Sequence, residues 1–411
     1  MLRSGRNPET VNRILGALIL LLFAPGVYLT LADLTPAPHQ EDFGAYYIAA
    51  RALGNGESPF DASVAARLAL TAGVEHHSPY IYPPLLALLL RPLAALPYSA
   101  AAAVWFGLSA AALLASLWLL RPFVQLPWRI YGWVCVAVLF LPPVHHTLQH
   151  GQITHFLLLL IVSGAAGGAR AAAWVGIAAA LKVFPATLAG VYALSGRMAA
   201  LVATVASAVI LTIAGALAEP AATADFVRRV GPELAVERRL APNNQSVEAV
   251  TARWFETHWF VTPVVDAPIA GRLAAYLVTL AVVGVTFWML VSIRRADGAM
   301  VQPGRFSLVL AATLMVSPIV WDHYYVLLLL PLAVLYRSAA DRTVRMLLLC
   351  AGVLLLAHRY WPLTFAMKSP VFMSEGFFGV VLLWIALLKV LSYDRVCAVR
   401  PSPSATSPSA I

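Results

Sequence analysis

Long apolar runs alternate along this chain with short breaks that contain arginine, proline or glycine. The runs have helical length, and the longest reach the roughly 20 residues with which a helix crosses a bilayer. The candidate spans, several of them shorter than a full crossing, are 14–33, 98–120, 130–147, 152–168, 171–182, 184–195, 198–218, 270–293, 306–320, 323–336, 344–361 and 376–392. The pattern predicts an all-α polytopic membrane protein, a bundle of about 12 transmembrane helices.

Another apolar stretch, 83–97, contains Arg91 and several prolines and is short for a span. We predict an interfacial or re-entrant helix there, and a short true span is the alternative. If the stretch stays at the surface, lysine and arginine are slightly more concentrated on the cytoplasmic side, and most acidic residues fall outside. This topology predicts cytoplasmic N- and C-termini and two long outer loops, at about 34–97 and 219–269.

The composition supports a membrane protein and excludes a soluble domain, since 61% of the residues are hydrophobic and only 11% are charged. The formal net charge is +9. The basic residues nevertheless stand singly or in pairs at the ends of apolar runs, as anchors beside lipid headgroups do, so we predict no nucleic-acid partner. Residues 1–400 are predicted to form one transmembrane domain, and the Pro/Ser-rich segment 401–411 a disordered tail.

The first outer loop opens with acidic and aromatic residues in a helical sequence. Asp42 follows the first span, and Tyr46 lies one helical turn later, which predicts a short amphipathic helix at the membrane interface. A carboxylate there can take a proton from a hydroxyl as a general base, or it can stabilise the positive end of the helix. Tyr82, in the sequence Tyr-Ile-Tyr, is either an aromatic anchor at the lipid boundary or a ring that stacks on a sugar.

Two further clusters place polar side chains between or within apolar runs. His150 and Gln152 belong to a histidine-rich turn, where hydrogen bonding to a polar ligand or to lipid headgroups is favoured over a metal site because no carboxylate is close in sequence. Lys182 lies in an apolar run just before a proline. Burying its ammonium costs roughly 2.5–3.5 kcal/mol unless a partner such as phosphate compensates, and snorkelling to headgroups is the alternative.

The second half of the chain adds two clusters. Asn244, Gln245 and Arg253 lie in the second outer loop, where they are either ligands or ordinary loop residues. Asp322 and His323 join two predicted spans with almost no loop between them, so they must lie at or inside the membrane boundary. Ionisable residues at that depth indicate a functional site, and an ion pair that closes a tight helical hairpin is the alternative.

The order and spacing of these motifs resemble a known family. The set is Asp42 with Tyr46, Gly-Asn-Gly-x-Ser-Pro-Phe-Asp (54–61), Tyr-Ile-Tyr-Pro-Pro-Leu (80–85), His-Gly-Gln (150–152), Leu-Lys-Val-Phe-Pro (181–185), Asn-Asn-Gln-Ser (243–246) with Arg253, and Ser-Pro-Ile-Val-Trp-Asp-His-Tyr-Tyr (317–325). It covers about residues 14–392 and resembles the DUF2029 or glycosyltransferase family 87 proteins. These are polyprenyl-phosphate-mannose-dependent mannosyltransferases of the GT-C superfamily.

The resemblance implies a GT-C-like fold, an active site at the outer membrane face, a sugar on a lipid phosphate as the donor, and Asp42 as the base. We expect inversion at the anomeric carbon, no cofactor and no metal. The candidates for the donor phosphate are Lys182, Arg253 and His323. The candidates for sugar or acceptor binding are Tyr46, Tyr82, His150, Gln152, Asn244, Gln245 and Asp322, of which Asp322 is also expected to orient His323.

The expected partners are the lipid-linked donor, a glycolipid or polysaccharide acceptor, and membrane lipids. The Ala-, Leu-, Arg- and Pro-rich composition favours a bacterial source and therefore the bacterial plasma membrane. The alternative function is a transporter or a flippase for lipid-linked sugar, which would place ionisable residues along an axial pathway.

Overall fold

The computed structural model describes residues 8–33, 40–237, 240–296, 298–357 and 367–399. The predicted disordered tail, 401–411, lies outside these ranges, as do residues 34–39 at the start of the predicted first outer loop. Helices dominate the described residues, and their extended pairing is limited to one isolated bridge between His258 and Val261. The all-α class predicted from the apolar runs is confirmed.

The helices follow one another with short connections. Within the described ranges the α-helices are α1 (Pro8–Asp33), α2 (Glu41–Gly54), α3 (Ala62–Ala72), α4 (Pro84–Ala94), α5 (Tyr98–Val124), α6 (Trp128–Leu139), α7 (Pro142–His150), α8 (Thr154–Ala166), α9 (Ala173–Leu181), α10 (Ala189–Leu194), α11 (Met198–Ala218), α12 (Pro220–Asp225), α13 (Gly231–Glu237), α14 (Val247–Phe255), α15 (Pro268–Ser292), α16 (Val301–Val316), α17 (Leu329–Tyr336), α18 (Arg342–Ala357) and α19 (Glu375–Val399). Two 3₁₀ segments, Phe184–Leu188 and Asp322–Leu328, and one π-helical segment, Phe226–Val230, complete the set.

Four helices of the described chain are long and apolar enough to cross a membrane: α5, α11, α15 and the part of α19 up to Tyr393. The pair α6 and α7 adds a fifth if it is one broken span, bent by 57°. Several of the remaining apolar runs form helices of only 10–17 residues, such as Pro84–Ala94, Thr154–Ala166 and Val301–Val316. A membrane protein is therefore supported, while the number of about 12 spans and the GT-C architecture remain predictions.

The helix that carries Asp42 lies inside the molecule, which corrects the expectation of an amphipathic helix at the membrane interface. Beyond its acidic first turn, every residue of α2 from Phe43 to Ala50 is buried. It packs mainly against α4 and also contacts α3 and α5. Alanines and aromatic rings occur on several faces of α2, which lets neighbours pack against it from more than one side. Helix α3 is more exposed than α2. Helix α4, at 11 residues, spans only about 16 Å.

Helix α7 approaches the start of α2 very closely. It ends at Gly151, which adopts a left-handed conformation with φ of 68°. A Cβ atom at this position would lie 2.6 Å from Cβ of Phe43, nearer than real contacts allow. The glycine therefore permits the two backbones to meet, and it brings the residues on either side of Phe43 and Gly151 into one place.

The hairpin of α15 and α16 separates the two ends of the bundle. Helix α16 is buried from Val301 to Met315 and leads directly to Asp322. The turn between the two helices, which contains Arg294, consequently lies at the opposite end from Asp322. Asp42, Gln152 and residues 241–243 lie at the Asp322 end, where they share a cavity with it.

Candidate active site

A polar cavity of about 560 Å³ opens at this end of the bundle. Five separate parts of the chain supply its walls. The lining residues are Glu41, Asp42, Ser78, Pro79, Ile81, Tyr82, His146, His150, Gln152, Ala241, Pro242, Asn243, Trp321, Asp322 and His323. Six residues singled out from the sequence are among them, namely Asp42, Tyr82, His150, Gln152, Asp322 and His323.

The Asp42 carboxylate is held by two donors from distant parts of the chain. Ser78 Oγ donates a hydrogen bond to Oδ1 at 2.5 Å, and the Gln152 amide Nε2 donates to Oδ2. A carboxylate has about four lone-pair positions, so each oxygen keeps capacity for a further donor from the cavity. The half-buried Asp42 is thus fixed in orientation and still faces the space where a hydroxyl group can bind.

A chain of hydrogen bonds joins Asp42 to Lys182. Gln152 Oε1 accepts from the hydroxyls of Tyr46 at 3.2 Å and Tyr82 at 3.0 Å. The Tyr82 oxygen in turn accepts from Lys182 Nζ at 3.1 Å. Burial raises the pKa of Tyr82, so its phenol stays protonated at neutral pH and remains the donor to Gln152.

Asp322 has a closer partner than the one expected. Its Oδ2 lies 2.5 Å from Nδ1 of His146, whereas its Oδ1 accepts from the backbone N–H of His323 at 2.8 Å and lies 3.7 Å from that ring's Nδ1. The carboxylate therefore meets two histidines on the cavity wall. His146 and Ser78 are residues that the sequence did not single out as site candidates. His146 could have been suspected from the histidine-rich turn, but nothing in the local sequence marks Ser78.

Some predicted site residues lie behind the cavity wall. In the part of the chain that the structure describes, the lining does not include Tyr46, Lys182, Asn244, Gln245 or Arg253. Tyr46 and Lys182 reach the cavity residues through the chain that ends on Asp42. The amides of Asn244 and Gln245 are buried and bond to neighbouring backbone, for example Asn244 Nδ2 to Pro318 O at 2.9 Å and Gln245 Nε2 to Met373 O at 2.9 Å.

Arg253 is completely buried and fastens two stretches of backbone together. Its guanidinium donates to the carbonyl oxygens of Pro242 at 3.0 Å and Met373 at 2.9 Å, and to that of Asn244. It also donates to Ser374 Oγ at 3.1 Å. Burial lowers the pKa of Arg253 to about 10, opposed by the attraction of Glu375, so the side chain is charged at neutral pH. This cation thus holds the wall formed by residues 241–243 from behind.

No group of three or more His, Cys, Asp or Glu side chains that could hold a metal occurs among the described residues. The acid–base groups of the cavity are instead joined in pairs and chains. Chemically, the arrangement can accept a proton at Asp42, attract an anion toward Lys182 and the histidines, and hydrogen-bond several hydroxyl groups.

Comparison with protein families decides the class of this molecule. The family model described as Glycosyltransferase family 87 matches residues 80–318, which is more than half of the chain. The chain belongs to glycosyltransferase family 87. The family 87 match includes Tyr82, Gln152 and Lys182, whereas Asp42 and Asp322 lie outside the matched range.

Membership of family 87 makes the protein a membrane glycosyltransferase. No curated protein and no solved structure matches the chain.

Proposed function

We propose that this protein moves a hexose, mannose by the family resemblance, from a polyprenyl-phosphate sugar to a glycolipid or polysaccharide acceptor at the outer face of the bacterial plasma membrane. The observation that carries the proposal is the carboxylate of Asp42 on a polar cavity wall, linked through two side chains to the Lys182 ammonium. A base and a cation close to one another are what displacement of a lipid phosphate by a hydroxyl requires.

In the proposed reaction Asp42 takes the proton of the acceptor hydroxyl as that oxygen attacks the anomeric carbon. The bond from this carbon to the phosphate oxygen breaks on the opposite face, so the configuration inverts and polyprenyl phosphate leaves. The leaving group gains negative charge, which the Lys182 ammonium and the histidines around Asp322 can stabilise. No metal and no cofactor takes part in this scheme.

The remaining residues fall into two sets. Tyr82, His150, Asp322 and His323 line the cavity. The first three are proposed to contact the sugar or the acceptor, and His323 is proposed to contact the donor phosphate. Direct ligand contacts of Arg253, Asn244 and Gln245 remain predictions. The hydrogen bonds of these three side chains support a different assignment, in which they keep the wall at residues 241–243 in place.

Substitution of Asp42 by Asn tests the proposal in proteoliposomes supplied with radiolabelled polyprenyl-phosphate sugars and membrane glycolipids. We expect D42N to bind the donor lipid but to transfer sugar about 10²–10⁴-fold more slowly than the wild type, because general-base catalysis contributes a factor of that size. D61N is the matched control, since Asp61 is an exposed carboxylate in the same loop that caps α3 through the amides of Ser63 and Val64. Asn caps a helix about as well as Asp, so this variant should transfer at the wild-type rate.

Full transfer by D42N would remove Asp42 from the role of base. Transfer that is lost in EDTA and restored by a divalent cation would contradict the metal-free scheme. Movement of an intact lipid-linked sugar across the bilayer, without transfer to any acceptor, would favour the flippase alternative.

A further inference from the structure

The amide group of Gln152 has its orientation fixed from one side. Its Oε1 accepts two phenol hydroxyls, from Tyr46 and Tyr82, and an amide oxygen has two lone pairs for such donors. Tyr82 accepts from Lys182 Nζ, which leaves its own hydrogen for Gln152. The oxygen end of the amide is therefore saturated, and the nitrogen end must point at Asp42.

The surroundings of Gln152 keep this arrangement rigid. Gln152 is 4% exposed, and the rings of Tyr46 and Tyr82 meet edge to face with centroids 5.1 Å apart. The preceding residue, Gly151, is the one that lets α7 touch α2 beside Phe43. A side chain so fully bonded has little capacity left for a sugar hydroxyl, because at most one amide hydrogen is uncommitted.

We propose that Gln152 is a positioning residue for the base and not a ligand of the sugar. It orients one carboxylate oxygen of Asp42 and stabilises the ionised form by a charge-assisted hydrogen bond. Through Tyr82, Gln152 also ties the orientation of Asp42 to the ammonium of Lys182. This inference rests on the proposed role of Asp42.

Other groups around Asp42 must be held constant in a test. The titratable groups that face it or share its cavity are Tyr46, Tyr82, Lys182, His323, Tyr324, Glu41, His146, His150 and Asp322. All of them remain in a variant changed only at residue 152. A difference in pH dependence between such a variant and the wild type therefore reports on the group at that position.

The test compares the pH dependence of kcat/KM for Q152E, Q152M and the wild-type enzyme in proteoliposomes. Q152E sets a second carboxylate against Asp42 and Q152M removes the amide donor, and both changes disfavour the ionised base. We expect the acidic limb of the profile to move to higher pH by about 1 unit in both variants. We expect kcat to fall roughly 10- to 100-fold, with KM for donor and acceptor within about twofold of wild type.

Q149E is the matched control, because it adds the same charge three residues earlier in the chain, at a side chain that is not among the described lining residues. Its profile should coincide with that of the wild type. A raised KM in Q152E and Q152M with an unmoved acidic limb would overturn the inference and return Gln152 to sugar binding. If Q152E does not fold, as judged by gel filtration in detergent, Q152M alone decides.

D42N measured beside these variants separates the two proposals. If D42N transfers sugar at the wild-type rate, the proposed base is wrong. If D42N is inactive while Q152E and Q152M keep the wild-type profile, the proposed function survives and the role of Gln152 as a positioning residue does not.

Discussion

The Lys182 ammonium lies against two aromatic rings, 4.0 Å from the centroid of Tyr324 and 4.9 Å from that of Tyr82. Ring faces attract a cation, and the Tyr82 oxygen accepts one of its hydrogens. No carboxylate lies within ion-pair distance of this amine among the described residues. An anionic ligand that reached this amine would therefore meet no competing carboxylate.

We expect K182M to lower sugar transfer about 10²–10³-fold and to raise KM for the lipid-phosphate donor, because it removes a charged donor at the developing negative charge. K389M is the matched control, since Lys389 pairs with Asp341 at 3.0 Å, away from the cavity. Steady-state kinetics with varied donor concentration measure both effects. A K182M enzyme with wild-type donor KM and kcat would exclude Lys182 from phosphate binding.

At the scale of elements, the contact between α2 and the end of α7 sets the position of the base. Gly151 and Gly73 have nearly identical left-handed backbones, with φ of 68° at both. A Cβ at Gly151 meets Phe43, whereas nothing lies within 4 Å of a Cβ at Gly73. A comparison of alanine substitutions at Gly151 and Gly73 therefore separates the strain of a left-handed backbone from the steric clash with Phe43.

We expect G151A to lower the free energy of unfolding by about 1–3 kcal/mol more than G73A, because overpacking adds to the left-handed strain that both share. We also expect G151A to lower kcat, since the first turn of α2 must shift away from Gln152, while G73A keeps wild-type kcat. Thermal unfolding in detergent and the transfer assay measure the two effects. Equal losses in both variants would show that the Phe43 contact does not matter.

The helical class and six of the residues that line the cavity could be predicted from the sequence, but not the way the helices meet. Their place between two apolar runs marked Asp322 and His323, and the helical sequence after the first apolar run marked Asp42; all three line one cavity. The bond from His146 to Asp322 joins residues 176 positions apart and depends on how the 3₁₀ segment Asp322–Leu328 packs on α7. The burial of α2 was likewise hidden, because alanines and tyrosines suit a buried helix and an interfacial one equally.

At the scale of the whole molecule, the cavity occupies one end and the α15–α16 turn the other. Sidedness can be tested by single cysteines in a background without Cys135, Cys350 and Cys397. Glu75 lies near the cavity end and Arg294 in the opposite turn, and both side chains are exposed. The two variants are therefore Glu75→Cys and Arg294→Cys. We expect a membrane-impermeant maleimide to label residue 75 in intact spheroplasts, and residue 294 only after permeabilisation. The reverse labelling pattern would show that the cavity opens at the cytoplasmic face of the membrane.

The buried guanidinium of Arg253 restricts the route by which substrates can enter and leave the cavity. It fastens residues 241–244 to residues 373–374, so an outward movement of that rim would break several charge-assisted hydrogen bonds together. The rim is therefore fixed in place and does not open. We therefore expect lipid and sugar to come and go past the other walls of the cavity.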